Sequence, residues 1–205
     1  MKTLFVNFIV ISFSVSLLLG CKPDSNIVTS ENQSGLLQSD KTNLNASNLA
    51  VYDLSKDELD GLVHMRMEEK IARDVYTVLG NKWNKQVFLN IKISEQSHMD
   101  AVKSLLNKYN LPDPLTTDEI GIFPDQEFQT LYDKLILQGN ESVYNALLVG
   151  VAIEELDIKD LENQLSFVDN PDIRNVYTNL KAASLNHLSA FKNNITKYVD
   201  GSTSK

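Results

Sequence analysis

Four long stretches of this chain carry apolar residues at alternating steps of three and four. Near its middle each stripe is interrupted by a carboxylate, an imidazole or both. The stripes are Leu62, Met65, Glu69, Ala72, Tyr76 and Leu79; Phe88, Ile91, Glu95, His98, Val102, Leu105 and Tyr109; Leu147, Val151, Glu154, Ile158, Leu161 and Leu165; and Tyr177, Leu180, Ser184, His187 and Phe191. Residues at that spacing share one face of a helix. No stretch alternates with the period of a strand, so the pattern predicts an all-α fold.

The punctuation agrees with it. Ser55-Lys56-Asp57-Glu58 is a capping box, and the helix it opens is expected to run to about Gly80. A second helix is expected from about Lys85 to Tyr109, where Asn110-Leu111-Pro112-Asp113-Pro114 stops it. A long crossover follows, carrying a short extra helix at about Gln126 to Gln138. The third long helix spans about Ser142 to Phe167; Asn170-Pro171 then starts the fourth, which runs to about Tyr198. Four long helices with one long connection predict a four-helix bundle over residues 52–199, followed by a polar tail at 200–205.

The N-terminus reads differently. Met1-Lys2 precedes an almost wholly apolar run from Phe5 to Leu19, short for a membrane span and suited to a signal peptide. Leu18-Leu19-Gly20-Cys21 resembles a bacterial lipobox, which implies cleavage after residue 20 and lipidation of Cys21, the chain's single cysteine. Residues 21–51, rich in Ser, Asn, Asp, Gln and Thr, then read as a disordered tether. The expected location is the cell envelope, with the protein held to the membrane by lipid. The chain has 19 basic against 27 acidic residues, a formal charge of −8. That balance argues against nucleic acid as a partner and favours cations. One cysteine also excludes a zinc ribbon or a four-cysteine iron site.

An unpaired carboxylate in an apolar seam is costly, so each needs a cation, a proton or strong donors. Glu95-x-x-His98 points both side chains the same way, and His98 and His187 are two of only three histidines. The interruptions Glu69, Glu95, His98, Glu154 and His187 therefore form the candidate ligand set. Carboxylates with one imidazole per metal suit iron, with manganese as the alternative. In this form the sequence resembles the ferritin-like superfamily, and its motifs those of the rubrerythrin branch. The segments that carry the likeness are Glu69-x-x-Ala72-Arg73-x-x-Tyr76, Glu95-Gln96-Ser97-His98, Ala152-Ile153-Glu154-Glu155-Leu156-Asp157 and Ser184-Leu185-Asn186-His187. More closely, they are similar to one bacterial family of unknown function within that clan, over roughly residues 53–195. The resemblance implies a ferritin-like four-helix bundle with a di-metal centre. It also exposes a departure, since Ser184 stands where the pattern has glutamate. Asp157, one turn from Glu154, is the obvious substitute ligand, although it could equally bond to Arg73 or face water.

Other residues stay open at this level. Glu68 lies on a neighbouring stripe with His64, and sequence alone does not choose between it and Glu69; the rubrerythrin-like spacing favours Glu69 and leaves Glu68 as a group behind it or in solvent. Glu155 is set behind Glu154 in the same way. Arg73 and Asp74 form either an inward network or a surface pair, and Tyr76 is either an inner hydroxyl or core. His64 reads as a surface or core histidine, and Trp83, Phe128 and Tyr132 as packing residues. Two functions are consistent with this sequence: a di-iron oxidoreductase of ferroxidase or peroxidase type, and a non-catalytic module that binds metal or another protein. A homodimer is compatible with either.

Overall fold

The computed structural model describes residues 54–203, all in helices and connecting loops. The expected leader, the lipidated Cys21 and the tether lie outside the described residues. Five helices follow one another: α1 (Lys56–Trp83), α2 (Gln86–Lys108), α3 (Gln126–Gly139), α4 (Val143–Phe167) and α5 (Pro171–Thr203). No strand occurs among the described residues, and no helix among them is long and apolar enough to cross a membrane. α1 packs mainly on α2 and α4 mainly on α5, and the two pairs meet through α1 with α4 and α2 with α5.

Local chemistry explains the boundaries. The Ser55 side chain accepts from the Glu58 N–H, and the Glu58 carboxylate accepts from the Ser55 N–H at 2.9 Å. The other Glu58 oxygen accepts from the Asn170 N–H at 3.0 Å, so one side chain ties the start of α1 to the start of α5. Burial alone would raise the Glu58 carboxyl, but the hydrogen bonds from Ser55 and Asn170 outweigh it and hold it below its ordinary value. A lowered carboxylate contributes stability that is present above its unfolded value and lost as the pH falls through the folded one. Glu58→Gln should therefore cost about 1–2 kcal/mol at neutral pH. The difference from the parent should shrink at acid pH, as the pH falls through the lowered folded-state value and the carboxylate is protonated. Urea unfolding at neutral and at acid pH measures this, and an equal cost at both would show that the charge is irrelevant.

α1 does not end at Gly80. It continues to Trp83, and Asn84 caps it in the left-handed region with φ 48°. Gly80 serves another purpose: a Cβ there would lie 2.9 Å from Leu89 Cδ2 and 3.0 Å from Phe88 Cβ, so glycine lets the start of α2 come close. α5 likewise runs on to Thr203, through the segment expected to be a polar tail. A helix already nucleated tolerates a few weak formers at its end.

The core has two apolar layers. One contains Tyr76, Leu79, Phe88, Ile91, Leu147, Ile153 and Phe191. The other contains Leu62, Met65, Val102, Leu105, Leu161, Tyr177 and Leu180. On α2, α4 and α5 the interrupting polar residues fall in sequence between the two layers, and on α1 Glu69 follows Met65 of one layer and Met67 of the other. α4 corrects one expected register: Gly150, Ile153, Asp157 and Leu161 are buried, whereas Val151 and Ile158 are only half-buried. A Cβ on Gly150 would lie 2.5 Å from the Phe191 ring, so α4 and α5 touch closely just above the polar layer.

α1 is buried on nearly every side between Met65 and Tyr76. The crossover covers the face turned away from α4 and α5. Arg66 makes a two-pronged pair with Asp113, at 3.1 and 3.0 Å. Arg73 binds Asp74, Asp118 and Gln96. The surface-pair reading of Arg73 and Asp74 is thus replaced by a buried network. Trp83, Phe128 and Tyr132 pack in the core as expected.

Candidate metal centre

Seven polar side chains meet between the apolar layers: Glu69 from α1, Glu95 and His98 from α2, Glu154 and Asp157 from α4, and Ser184 and His187 from α5. All but His187 are buried, and the His187 side chain is only 11% exposed. The rings of His98 and His187 stack with centroids 5.6 Å apart.

Glu95 occupies the middle. Its Oε2 is 2.8 Å from His98 Nδ1 and its Oε1 is 2.9 Å from His187 Nδ1. Glu69 completes one side, with Oε2 3.1 Å from His98 Nδ1, and Glu154 the other, with Oε2 3.6 Å from His187 Nδ1. Two groups of three donors result, Glu69–Glu95–His98 and Glu95–Glu154–His187, each with its donor atoms within 4.8 Å of one another. They share Glu95.

Several of these atoms lack a hydrogen-bond partner among the described residues. Glu69 Oε1, Glu95 Oε1, Asp157 Oδ1 and His187 Nδ1 are all buried and orphaned. The 2.9 Å between His187 Nδ1 and Glu95 Oε1 is short enough for a hydrogen bond, yet the angles are not those of one. Lone pairs turned on a common centre produce that geometry, and a buried orphan is otherwise expensive.

Neighbouring groups orient the donors. Tyr76 donates to Glu154 Oε1 at 2.7 Å, which makes its hydroxyl part of the site rather than plain core. Ser94 Oγ lies 3.3 Å from His98 Nε2, so the other ring nitrogen faces the carboxylates. Such supporting contacts typically contribute tenfold to hundredfold in metal affinity. Tyr76→Phe keeps the ring packed between Phe88 and Phe191 while removing the donor. If the cluster takes metal, the change should weaken binding on the Glu154–His187 side by about 10- to 100-fold and leave the Glu69–His98 side unchanged, as read by chelator competition.

The charges are mutually perturbed. Burial pushes Glu69 up to about 8 and Glu154 up to about 7 against the pull of their histidines. For Glu95 burial is outweighed by His187 and His98, and its carboxyl is held well down, at about 2. Burial would lower the imidazoles, but their carboxylates raise His98 to about 11 and His187 to about 9. The cluster thus retains protons where a cation would be favoured.

Asp157 stands beside both groups and belongs to neither. Ser184 Oγ donates to its Oδ2 at 2.6 Å and its Oδ1 is orphaned. Burial, together with the charges of Glu69 and Glu68, raises its carboxyl well above the ordinary value. Arg73 does not reach it, being held by Asp74, Asp118 and Gln96. Glu155 is exposed and pairs with Lys192. Glu68 is buried and paired with His64, on a different stripe from Glu69. The only sequence hint of that pairing was the four-residue step between His64 and Glu68.

The fold and the site together define a helical domain with a buried carboxylate–imidazole cluster. The chain belongs to the family described as an uncharacterized protein domain, DUF2202, whose model matches residues 58–202. It is 51% identical over 152 residues to uncharacterized protein MJ0754 of Methanocaldococcus jannaschii, covering 74% of this chain and 82% of the relative. A crystal structure described as hypothetical protein MJ0754 from Methanococcus jannaschii aligns with a TM-score of 0.70. Identity there is 52%, with 71% of this chain and 83% of the other covered.

Proposed function

We propose that the domain is a ferritin-like four-helix bundle that holds two transition-metal ions, iron before manganese, in one site shared through Glu95. The observation that carries this reading is the pair of buried donor triads that share Glu95, one imidazole in each, with Glu69 Oε1, Glu95 Oε1 and His187 Nδ1 left without hydrogen-bond partners. Each half offers one nitrogen and two carboxylates, a donor set suited to iron or manganese. Among the described residues, the ion pairs made by Glu69, Glu95 and Glu154 come from His98 and His187 alone. Asp157, which accepts from Ser184 at 2.6 Å, would supply a further oxygen where the superfamily pattern has glutamate.

Two ferrous ions, when bound, supply electrons for the reduction of oxygen or peroxide. The chain's own part is to position and to neutralise. Glu95 would bridge; Glu69 with His98 and Glu154 with His187 would each complete one half; Tyr76 would keep Glu154 turned inward. The imidazolium protons must leave as metal enters, so uptake weakens as pH falls. The acidic surface and the Leu18–Cys21 motif support an envelope lipoprotein that meets cations outside the cytoplasm.

Metal analysis of the purified protein, followed by anaerobic titration with ferrous salt, tests the proposal. Two ions at the buried centre are expected, with oxidation on admitting oxygen faster than in buffer. A chain that takes up no transition metal under these conditions refutes the reading. Uptake without accelerated oxidation leaves a static binding module.

A further inference from the structure

A second cluster lies outside this centre. His64 and Glu68 stand four residues apart on one face of α1, and Asp160 reaches them from α4. His64 Nε2 is 3.3 Å from Glu68 Oε1 and 3.7 Å from Asp160 Oδ2. Glu68 is only 8% exposed, and its Oε2 has no hydrogen-bond partner among the described residues. The His64 and Asp160 side chains are 31% and 25% exposed, so the cluster opens to solvent on one side and ends in a buried carboxylate on the other.

We propose that His64, Glu68 and Asp160 form a separate, solvent-reached site for one divalent transition-metal ion. The spacing fits. Nitrogen and oxygen donors about 2.1 Å from a tetrahedral ion stand roughly 3.4 Å apart, and about 3.0 Å apart around an octahedral one. The two separations from His64 Nε2 lie at or just beyond these values, so small side-chain movements close the site. The 3.7 Å contact is too long for a hydrogen bond, and hydrogen bonding leaves the Glu68 Oε2 unused. An ion answers both. One imidazole and two carboxylates leave the remaining positions to water, as in an exchangeable site. Phe128 meets the His64 ring edge-on at 5.3 Å and holds the imidazole in place. The site shares no residue with the Glu95 centre, so it does not depend on the proposal made for that centre.

Equilibrium dialysis of the full-length chain, in detergent, against micromolar Zn(II) tests it. His64→Ala and Asp160→Asn are the variants of choice because both side chains are partly exposed, and circular dichroism checks their folding. Each should bind one ion fewer than the parent, while Glu95→Ala should keep the ion that His64→Ala loses. Should both outer variants bind as much Zn(II) as the parent, the cluster is a plain ion pair and the proposal falls. If the parent binds a single ion that His64→Ala abolishes, the outer site stands and the buried centre fails. If Glu95→Ala removes every ion, the reverse holds.

Discussion

Replacing Glu95 by alanine should empty both halves of the buried centre at once, whereas Glu69→Ala or Glu154→Ala should each empty only one. The asymmetry follows from geometry: Glu95 alone touches both imidazoles, at 2.8 and 2.9 Å. Metal bound at this centre should fall from two ions towards none for Glu95→Ala, which keeps only the outer ion at His64, and to about one for the others. The fold should survive, because apolar layers on both sides of the cluster hold the helices together and packing dominates helix stability. The metal-free variant has lost one buried carboxylate, but His98 and His187 keep Glu69 and Glu154 as partners. Ferrous titration with far-UV circular dichroism measures both quantities. Loss of helicity on the Glu95 change would mean a structural ion-pair network. A Glu69→Ala variant that lost both ions would remove the shared-ligand arrangement.

The seams of α2 and α5 were legible because each of those helices has a clear polar face to set against its apolar one. α4 was not, for a physical reason. Ala146 through Ile153 is an unbroken apolar or small run, so periodicity does not choose between Gly150 and Val151, or between Asp157 and Ile158. The structure settles on Gly150 because Phe191 needs the space, and Asp157 follows one turn pair later. The burial of Arg66, Lys70, Arg73 and Asp74 was illegible for a different reason. Their partners Asp113, Asp118, Glu119 and Gly121 lie 45 to 49 residues away in the crossover, and local spacing says nothing about them. Glu95-x-x-His98 was readable as a pair on one face, but that Glu95 also reaches His187 is a fact of packing between α2 and α5. The role of Tyr76 was evenly balanced in the sequence and is decided by one contact, to Glu154.

That buried face of α1 should produce the largest loss of stability in the molecule. Lys70 and Asp74 are both wholly inaccessible and pair one helical turn apart. Asp74 also accepts from Arg73 Nε at 2.9 Å and from the Gly121 N–H at 2.9 Å, and Lys70 donates to the Glu119 carbonyl at 2.7 Å. One carboxylate therefore neutralises two cations and fastens the crossover to α1. Asp74→Ala removes it and strands the Lys70 ammonium beneath Phe123, 4.5 Å from the ring centroid, where a cation–π contact cannot replace a counter-charge. Breaking a buried pair in this way costs about 3–5 kcal/mol. The urea midpoint should fall accordingly. The double variant Lys70→Met, Asp74→Leu takes both charges away together and should recover most of the loss, because an apolar pair in such a place is often neutral or better. If Asp74→Ala lost less than about 1 kcal/mol, water must reach Lys70 and the burial argument fails. If the double variant were as unstable as the single, the crossover would be held by the Asp74–Gly121 hydrogen bond rather than by charge. Metal stoichiometry should be the same in the double variant and the parent. Lys70 and Asp74 face the crossover, Glu69 faces the centre, and the two ionic networks share a helix without sharing a ligand.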